Sequence, residues 1–202
     1  AEEVAAVAEF CVDNDIDVIA DEIYAALTYD GDHTSIATMP NMRERTVVIN
    51  GFSKAYAMTG LRLGYAMGPP DAVEAMNRVH QYTMLSAPTT AQYAAIEALR
   101  SCEESVDEMA TAFNRRRRFV LSRFEEMGLD CFTAKGAFYA FPACGGDDEA
   151  FAENLLEEQG VAVVPGSVFG PGGTGHLRIS YATGMRDLKE AMNRIDAFVA
   201  DR

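Results

Sequence analysis

Apolar residues recur at helical spacing near the start of the chain, where Val4, Val7, Ala8 and Cys11 fall on one face of a helix predicted over Glu2 to Val12. The period then changes. Asp17-Val18-Ile19-Ala20-Asp21 is a short β-branched run suited to a buried parallel strand. Thr46 to Asn50 repeats that pattern and leads into Gly51-Phe52-Ser53-Lys54, and Leu63 to Met67 gives a third strand ending at Gly68-Pro69-Pro70. Three short strands separated by connecting segments predict a doubly wound α/β layer. Asp71 is expected to cap a helix reaching about Val79, and a further helix is expected after Pro88, through Arg100.

A longer helical stretch follows between Ser105 and Met127, with Met109, Phe113, Val120, Phe124 and Met127 as its apolar stripe and Gly128 as its stop. Beyond it the pattern is mixed. Strand segments are predicted at Phe138 to Phe141, Val161 to Val164 and His176 to Tyr181, and helices over Asp148 to Gln159 and Arg186 to Ala200. This α+β character sets a domain boundary inside the long helix, giving a first module over 1–112 and a smaller carboxyl-terminal one over 113–202. Four successive residues of a helix point in different directions, so Arg115-Arg116-Arg117-Arg118 reads as a solvated, salt-bridged face and not as an anion patch.

With 49% hydrophobic and 24% charged residues in 202, the chain has material for a core in each module. Seventeen basic against 31 acidic residues leave a net charge of -14, a field that repels nucleic acid and anionic membranes. No apolar run approaches the ~20 residues of a membrane span, and the Ala1-Glu2-Glu3 start has no basic leader, so a soluble, cytoplasmic protein is expected. Only Lys54, Lys135 and Lys189 among the cations are lysines, a balance that resembles proteins of salt-adapted cytoplasm. Cys11, Cys102, Cys131 and Cys144 form no C-x-x-C pair and read as buried thiols. His33, His80 and His176 lack carboxylates at metal-ligand spacing, and the glycines from 170 to 175 read as a turn, so neither a metal nor a dinucleotide site is expected.

In open α/β sheets ligands bind beyond the carboxyl ends of strands, which directs attention to Asp21, Glu22 and Tyr24 after the first strand and to Ser53 and Lys54 after the second. A lysine just past a buried strand is a candidate for a desolvated amine able to bond a carbonyl carbon. Asp21 at a strand end needs a cation, and opposite a pyridinium nitrogen it would keep such a ring protonated. Tyr24 can offer its hydroxyl to a ring oxygen, Ser53 can donate to a phosphate, and Arg62 has the planar fork suited to one. Singly, a capping Asp21, a core Tyr24, a surface Arg62 or a solvated Lys54 would be ordinary. Arg178, in a strand after the Pro171-Gly172-Gly173-Thr174-Gly175 turn, is either a surface strand arginine or a clamp for an amino-acid carboxylate.

Taken together, Ala20-Asp21-Glu22-Ile23-Tyr24, the run from Gly51-Phe52-Ser53-Lys54 to Gly60-Leu61-Arg62-Leu63-Gly64, Gly136-Ala137-Phe138-Tyr139-Ala140-Phe141-Pro142, Val163-Val164-Pro165-Gly166-Ser167 and Leu177-Arg178-Ile179-Ser180 resemble the fold type I pyridoxal-phosphate aminotransferases, the aspartate aminotransferase family. The resemblance implies part of the mostly parallel sheet of that family's large domain over 1–112, followed by its small α+β domain over 113–202. It implies pyridoxal 5'-phosphate as cofactor, held by Lys54 as an internal aldimine. Asp21 is then placed at the pyridine nitrogen, Tyr24 at the ring oxygen, Ser53 and Arg62 at the phosphate, and Arg178 at the substrate α-carboxylate. Substrate would lie in a cleft between the modules, which would favour closure on binding. The implied reaction moves an amino group between an L-amino acid, aspartate favoured, and a 2-oxo acid, in a homodimer. Tyr82 to Gln92 resembles a loop near the family's dimer interface.

The same fold supports β-lyases and synthases, and it also occurs in non-catalytic regulatory modules. The acidic balance and the absence of a helix-turn-helix disfavour the regulatory module. Family members are about twice this length, and the glycine-rich phosphate turn, the ring-stacking aromatic and the asparagine of their earlier half have no counterpart here. The chain is therefore expected to be a carboxyl-terminal portion, with exposed sheet edges and little activity alone.

Overall fold

A computed structural model describes residues 1–200. The chain divides into two compact units, Ala1–Ala110 and a second beginning at Thr111.

In the first unit, helix α1 (Glu2–Asp13) leads to strand β1 (Val18–Asp21), which pairs in parallel with β2 (Thr46–Gly51), Asp21 standing opposite Ile49. Strand β3 (Gly64–Met67) returns antiparallel to β2, giving the order β1-β2-β3. The expected doubly wound layer is thus a single parallel pair with an antiparallel third strand. One face of β1 is covered: Val18 packs with Val12, Ile36 and Met39 on the buried cluster Ala8, Cys11 and Met42. The opposite face is open, and Ile19 is 74% exposed. The expectation of a fully buried β1 is corrected on this point, because an uninterrupted apolar run fits a strand covered on two faces and these described residues cover one. Helix α2 (Pro70–Thr83) starts one residue before Asp71, so Asp71 lies in its first turn and does not cap it. Helix α3 (Thr89–Ser101) follows.

Helix α4 (Glu103–Glu126) contains the division between the units. It stops where Gly128 takes φ +73°, with the Leu129 amide donating to the Phe124 carbonyl at 2.9 Å. Its buried positions, Phe113, Arg117, Val120 and Phe124, run at spacings of four, three and four, so Arg117 occupies a core position of the stripe. The solvated reading of the four arginines is corrected here. Arg115 and Arg118 are exposed, whereas Arg117 is 5% exposed and donates through Nε to Asn114 at 3.2 Å and through Nη1 to the Ala134 carbonyl. A buried guanidinium is tolerated only with such partners.

Strands β4 (Tyr139–Ala140), β6 (Leu177–Ser180) and β5 (Val164–Pro165) form an antiparallel sheet with β6 in the middle. Helices α5 (Asp148–Gln159) and α6 (Met185–Ala200) supply its core: Phe151 and Leu155 from α5, and Leu188, Met192, Ile195 and Phe198 from α6, are buried with Leu177 and Ile179. The expectation of four buried thiols is corrected as well. Only Cys11 is buried, while Cys131 and Cys144 are half-buried, with thiols pushed up chiefly by that burial. No helix among the described residues is long and apolar enough to cross a membrane.

Candidate active site

Because β1 and β2 run parallel, their carboxyl ends emerge on one side of the sheet, and the residues that follow each strand share that side. The ladder continues one step past β1, where the Glu22 amide donates to the Ile49 carbonyl at 2.9 Å. Asp21 is exposed, and its Oδ1 accepts from the Ile23 amide at 3.3 Å. Glu22 is engaged elsewhere, accepting from the Ser35 hydroxyl at 2.6 Å and lying 3.1 Å from His33 Nε2. Tyr24 opens the short 3-10 turn Ala25–Leu27 and is half-buried.

On the β2 side the chain leaves the strand at Gly51 and returns into β3 at Gly64. The two backbones are so close that a Cβ on Gly51 would lie 2.9 Å from the Gly64 Cα. Glycine is required there, and the approach closes residues 52–63 into a loop. Phe52 anchors that loop: it is buried, its ring centre lies 5.4 Å from Tyr56 and 5.8 Å from Tyr65, and its carbonyl receives the Met58 amide at 3.1 Å. Ser53 and Lys54 are half-buried in the turn that follows. The Lys54 Nζ lies 5.8 Å from the centre of the Tyr24 ring, so the loop after β2 and the turn after β1 meet at this pair.

Ser53 and Arg62 are joined through Thr59. The Thr59 hydroxyl donates to the Ser53 carbonyl at 2.7 Å, and Arg62 Nη1 donates to the Thr59 carbonyl at 2.8 Å. Arg62 itself sits in the left-handed region at φ +56°, a conformation costing a non-glycine residue about 1–2 kcal/mol. Such strain at an exposed arginine concentrates at ligand sites. The sequence had offered no reason to single out Thr59, because a hydroxyl five residues past a lysine matches no spacing rule.

Arg178 belongs to the second unit, in β6 opposite Val164. Its guanidinium carbon is 4.9 Å from the Tyr139 ring centre and 4.8 Å from that of Phe169, so the planar fork is flanked by two aromatic rings. Neither ring had been assigned a role from sequence, although Tyr139 lay within a quoted motif. Asp148 was also missed. It is 3% exposed, and its Oδ2 and Oδ1 accept from the Ser167 amide at 2.7 Å and the Gly175 amide at 3.0 Å. Those amides hold its carboxyl at about 2, well below the ordinary carboxyl range.

The family model for "Aminotransferase class I and II" matches residues 1–195. The chain belongs to that family. The aspartate aminotransferase of Pyrococcus abyssi is 44% identical over 202 residues, covering 97% of this chain and 52% of its own length. The aromatic-amino-acid aminotransferase 2 of Thermococcus litoralis is 43% identical over 202 residues, with 97% and 52% covered. Among solved structures, an aromatic aminotransferase from Pyrococcus horikoshii superposes with a TM-score of 0.96 at 43% identity, covering all of this chain and 55% of that one. The chain thus spans about half the length of the curated aminotransferases it matches. The family's cofactor is pyridoxal 5'-phosphate.

The first unit fits that group on its own chemistry. Asp21 at the end of β1, Tyr24 beyond it, and Ser53, Lys54 and Arg62 beyond β2 supply a carboxylate, hydroxyls, an amine and a guanidinium, which matches a ligand bearing a basic ring nitrogen, an aldehyde, a phenolic oxygen and a phosphate.

Proposed function

We propose that this chain carries the cofactor-bonding lysine and the carboxylate clamp of an aminotransferase that exchanges an amino group between an L-amino acid and a 2-oxo acid. The observation that carries the reading is the pairing of the Lys54 amine with the Tyr24 ring at 5.8 Å, beside the strand that ends in Asp21. Pyridoxal phosphate, when bound, supplies an aldehyde for covalent attachment and a ring able to take up an electron pair.

Each residue then has a defined task. Lys54 would hold the cofactor through its aldehyde. With its amine free, Lys54 would be the group that takes the proton leaving the substrate Cα. Asp21 would accept from the N–H of the ring nitrogen and so favour its cationic form. Tyr24 donates its hydroxyl to the phenolic oxygen, and Ser53 and Arg62 receive the phosphate. Arg178 binds the α-carboxylate with two parallel N–H donors.

Aspartate is the favoured donor, supported by the aspartate aminotransferase among the relatives, and the protein works as a homodimer. Tyr82, Met84 and Leu85, 87%, 66% and 81% exposed, are surface of the kind a subunit contact covers. The charge of -14 with three lysines supports a salt-rich cytoplasm as its setting.

A donor screen on the protein as its own gene encodes it tests the reading. L-aspartate, L-alanine and L-phenylalanine are offered with 2-oxoglutarate, and cystathionine is offered alone. Formation of glutamate with the matching keto acid supports amino transfer. Elimination products from cystathionine without amino transfer would assign the site to a lyase.

A further inference from the structure

Nothing in the clamp's own strand explains how Arg178 keeps its geometry. Tyr139 comes from β4, which is hydrogen-bonded to β6, but Phe169 belongs to an irregular turn and is 52% exposed. That turn consists of two 3-10 segments, Gly166–Phe169 and Pro171–Gly173, separated by Gly170 at φ +108°. Short internal bonds shape it, the Gly170 amide to Ser167 at 3.0 Å and the Gly173 amide to Gly170 at 2.9 Å, and the Gly166 amide reaches the His176 carbonyl at 2.8 Å. From outside, Glu149 accepts from the Ser167 hydroxyl at 3.4 Å, the Cys144 amide donates to the Gly175 carbonyl at 2.9 Å and the Phe141 ring centre lies 6.4 Å from that of Phe169, each touching the turn at one place. The buried Asp148, at the start of α5, takes the Ser167 amide on one oxygen and the Gly175 amide on the other. Those donors lie two residues before Phe169 and three before Arg178.

We propose that Asp148 is a positioning residue for the carboxylate clamp: by receiving the amides at both ends of the 167–175 turn it holds Phe169 over the Arg178 guanidinium. The inference rests on the reading of Arg178 as the clamp. Its physical basis is that an ionised carboxylate offers acceptor sites on two oxygens, whereas an asparagine offers one oxygen and turns an N–H toward the other donor. The depressed carboxyl of Asp148 keeps both acceptors available throughout the working pH range.

Steady-state kinetics of the gene-encoded protein test it, with the donor panel above. Asp148→Asn is expected to raise KM for every donor it turns over by about fivefold, the size of one exposed cation–π contact, with kcat within about twofold and the bound-cofactor spectrum unchanged. Phe169→Ala is expected to raise KM similarly, and adding Asp148→Asn to it should change KM by less than about twofold, because both act through one contact. Independent, multiplying effects, or an unchanged KM in Asp148→Asn, would overturn the proposal.

Arg178→Lys separates the two levels. If it leaves KM unchanged, the clamp reading itself fails. If it raises KM steeply while Asp148→Asn does not, only the positioning role fails. Should the asparagine variant not fold, hydrogen exchange of the unmodified protein decides. Amides in 166–176 are expected to exchange more slowly than those of the exposed Gly31 to His33 connection, and equal rates would contradict the pin.

Discussion

The amine of Lys54 lies 5.8 Å from the centre of the Tyr24 ring, a pairing between the loop that leaves β2 and the turn that leaves β1. Both residues are half-buried, so the amine is partly desolvated where an aromatic face is the nearby surface. Tyr24→Phe preserves that face and removes only the hydroxyl. If the hydroxyl bonds the ring oxygen of the cofactor, kcat/KM falls about tenfold, the scale of one hydrogen bond to a charged group, while thermal stability is nearly unchanged. Unaltered kinetics in the phenylalanine variant would remove Tyr24 from the site.

Thr59 ties Ser53 to Arg62 without itself being a proposed ligand. Thr59→Val keeps the shape and removes the hydroxyl that donates to the Ser53 carbonyl. Loss of one such bond, about 1 kcal/mol, is expected to weaken cofactor binding about fivefold, read from cofactor titration of the stripped protein. Equal affinity in the variant would show that the loop is ordered without this link.

Asp148 gives a pH-dependent outcome with a definite sign. Its carboxyl lies at about 2 in the folded protein against an ordinary value of 3.8, so the unfolded chain binds its proton first as pH falls. The stabilisation is therefore full above about pH 4 and fades toward pH 2. Asp148→Asn has no such proton to bind. The difference in thermal midpoint between unmodified and variant protein is expected to be constant from pH 7 to 5 and to shrink below 4. A gap that stays constant throughout would mean the carboxylate is not the group that matters.

Much of the first unit was legible because its signals are local. The β-branched runs placed β1 and β2 within a residue or so, and the residues just past them are the ones that share one side of the sheet. Two kinds of feature were not legible. Burial depends on what covers a face, so the run containing Ile19 read as buried although only one face of β1 is covered. The four arginines read as solvated because a charge run hides the one member, Arg117, that falls on the apolar stripe and finds the Ala134 carbonyl across the chain. The second kind is the long-range hydrogen bond. Asp148 looked like one more acidic residue in a first helical turn, and its partners Ser167 and Gly175 are 19 and 27 residues away. Thr59 escaped for a similar reason, since its role is to join two residues already singled out.

Borohydride reduction of the cofactor-loaded, gene-encoded protein, followed by peptide mass mapping, asks directly which amine bonds the aldehyde. Reduction fixes the cofactor to its lysine, and three lysines are available, Lys54, Lys135 and Lys189. The label is expected on the peptide containing Lys54, with Lys54→Ala losing both the label and the near-visible absorbance of the bound cofactor. A label on Lys135 or Lys189, or an unchanged spectrum in Lys54→Ala, would contradict the assignment on which the proposed chemistry depends.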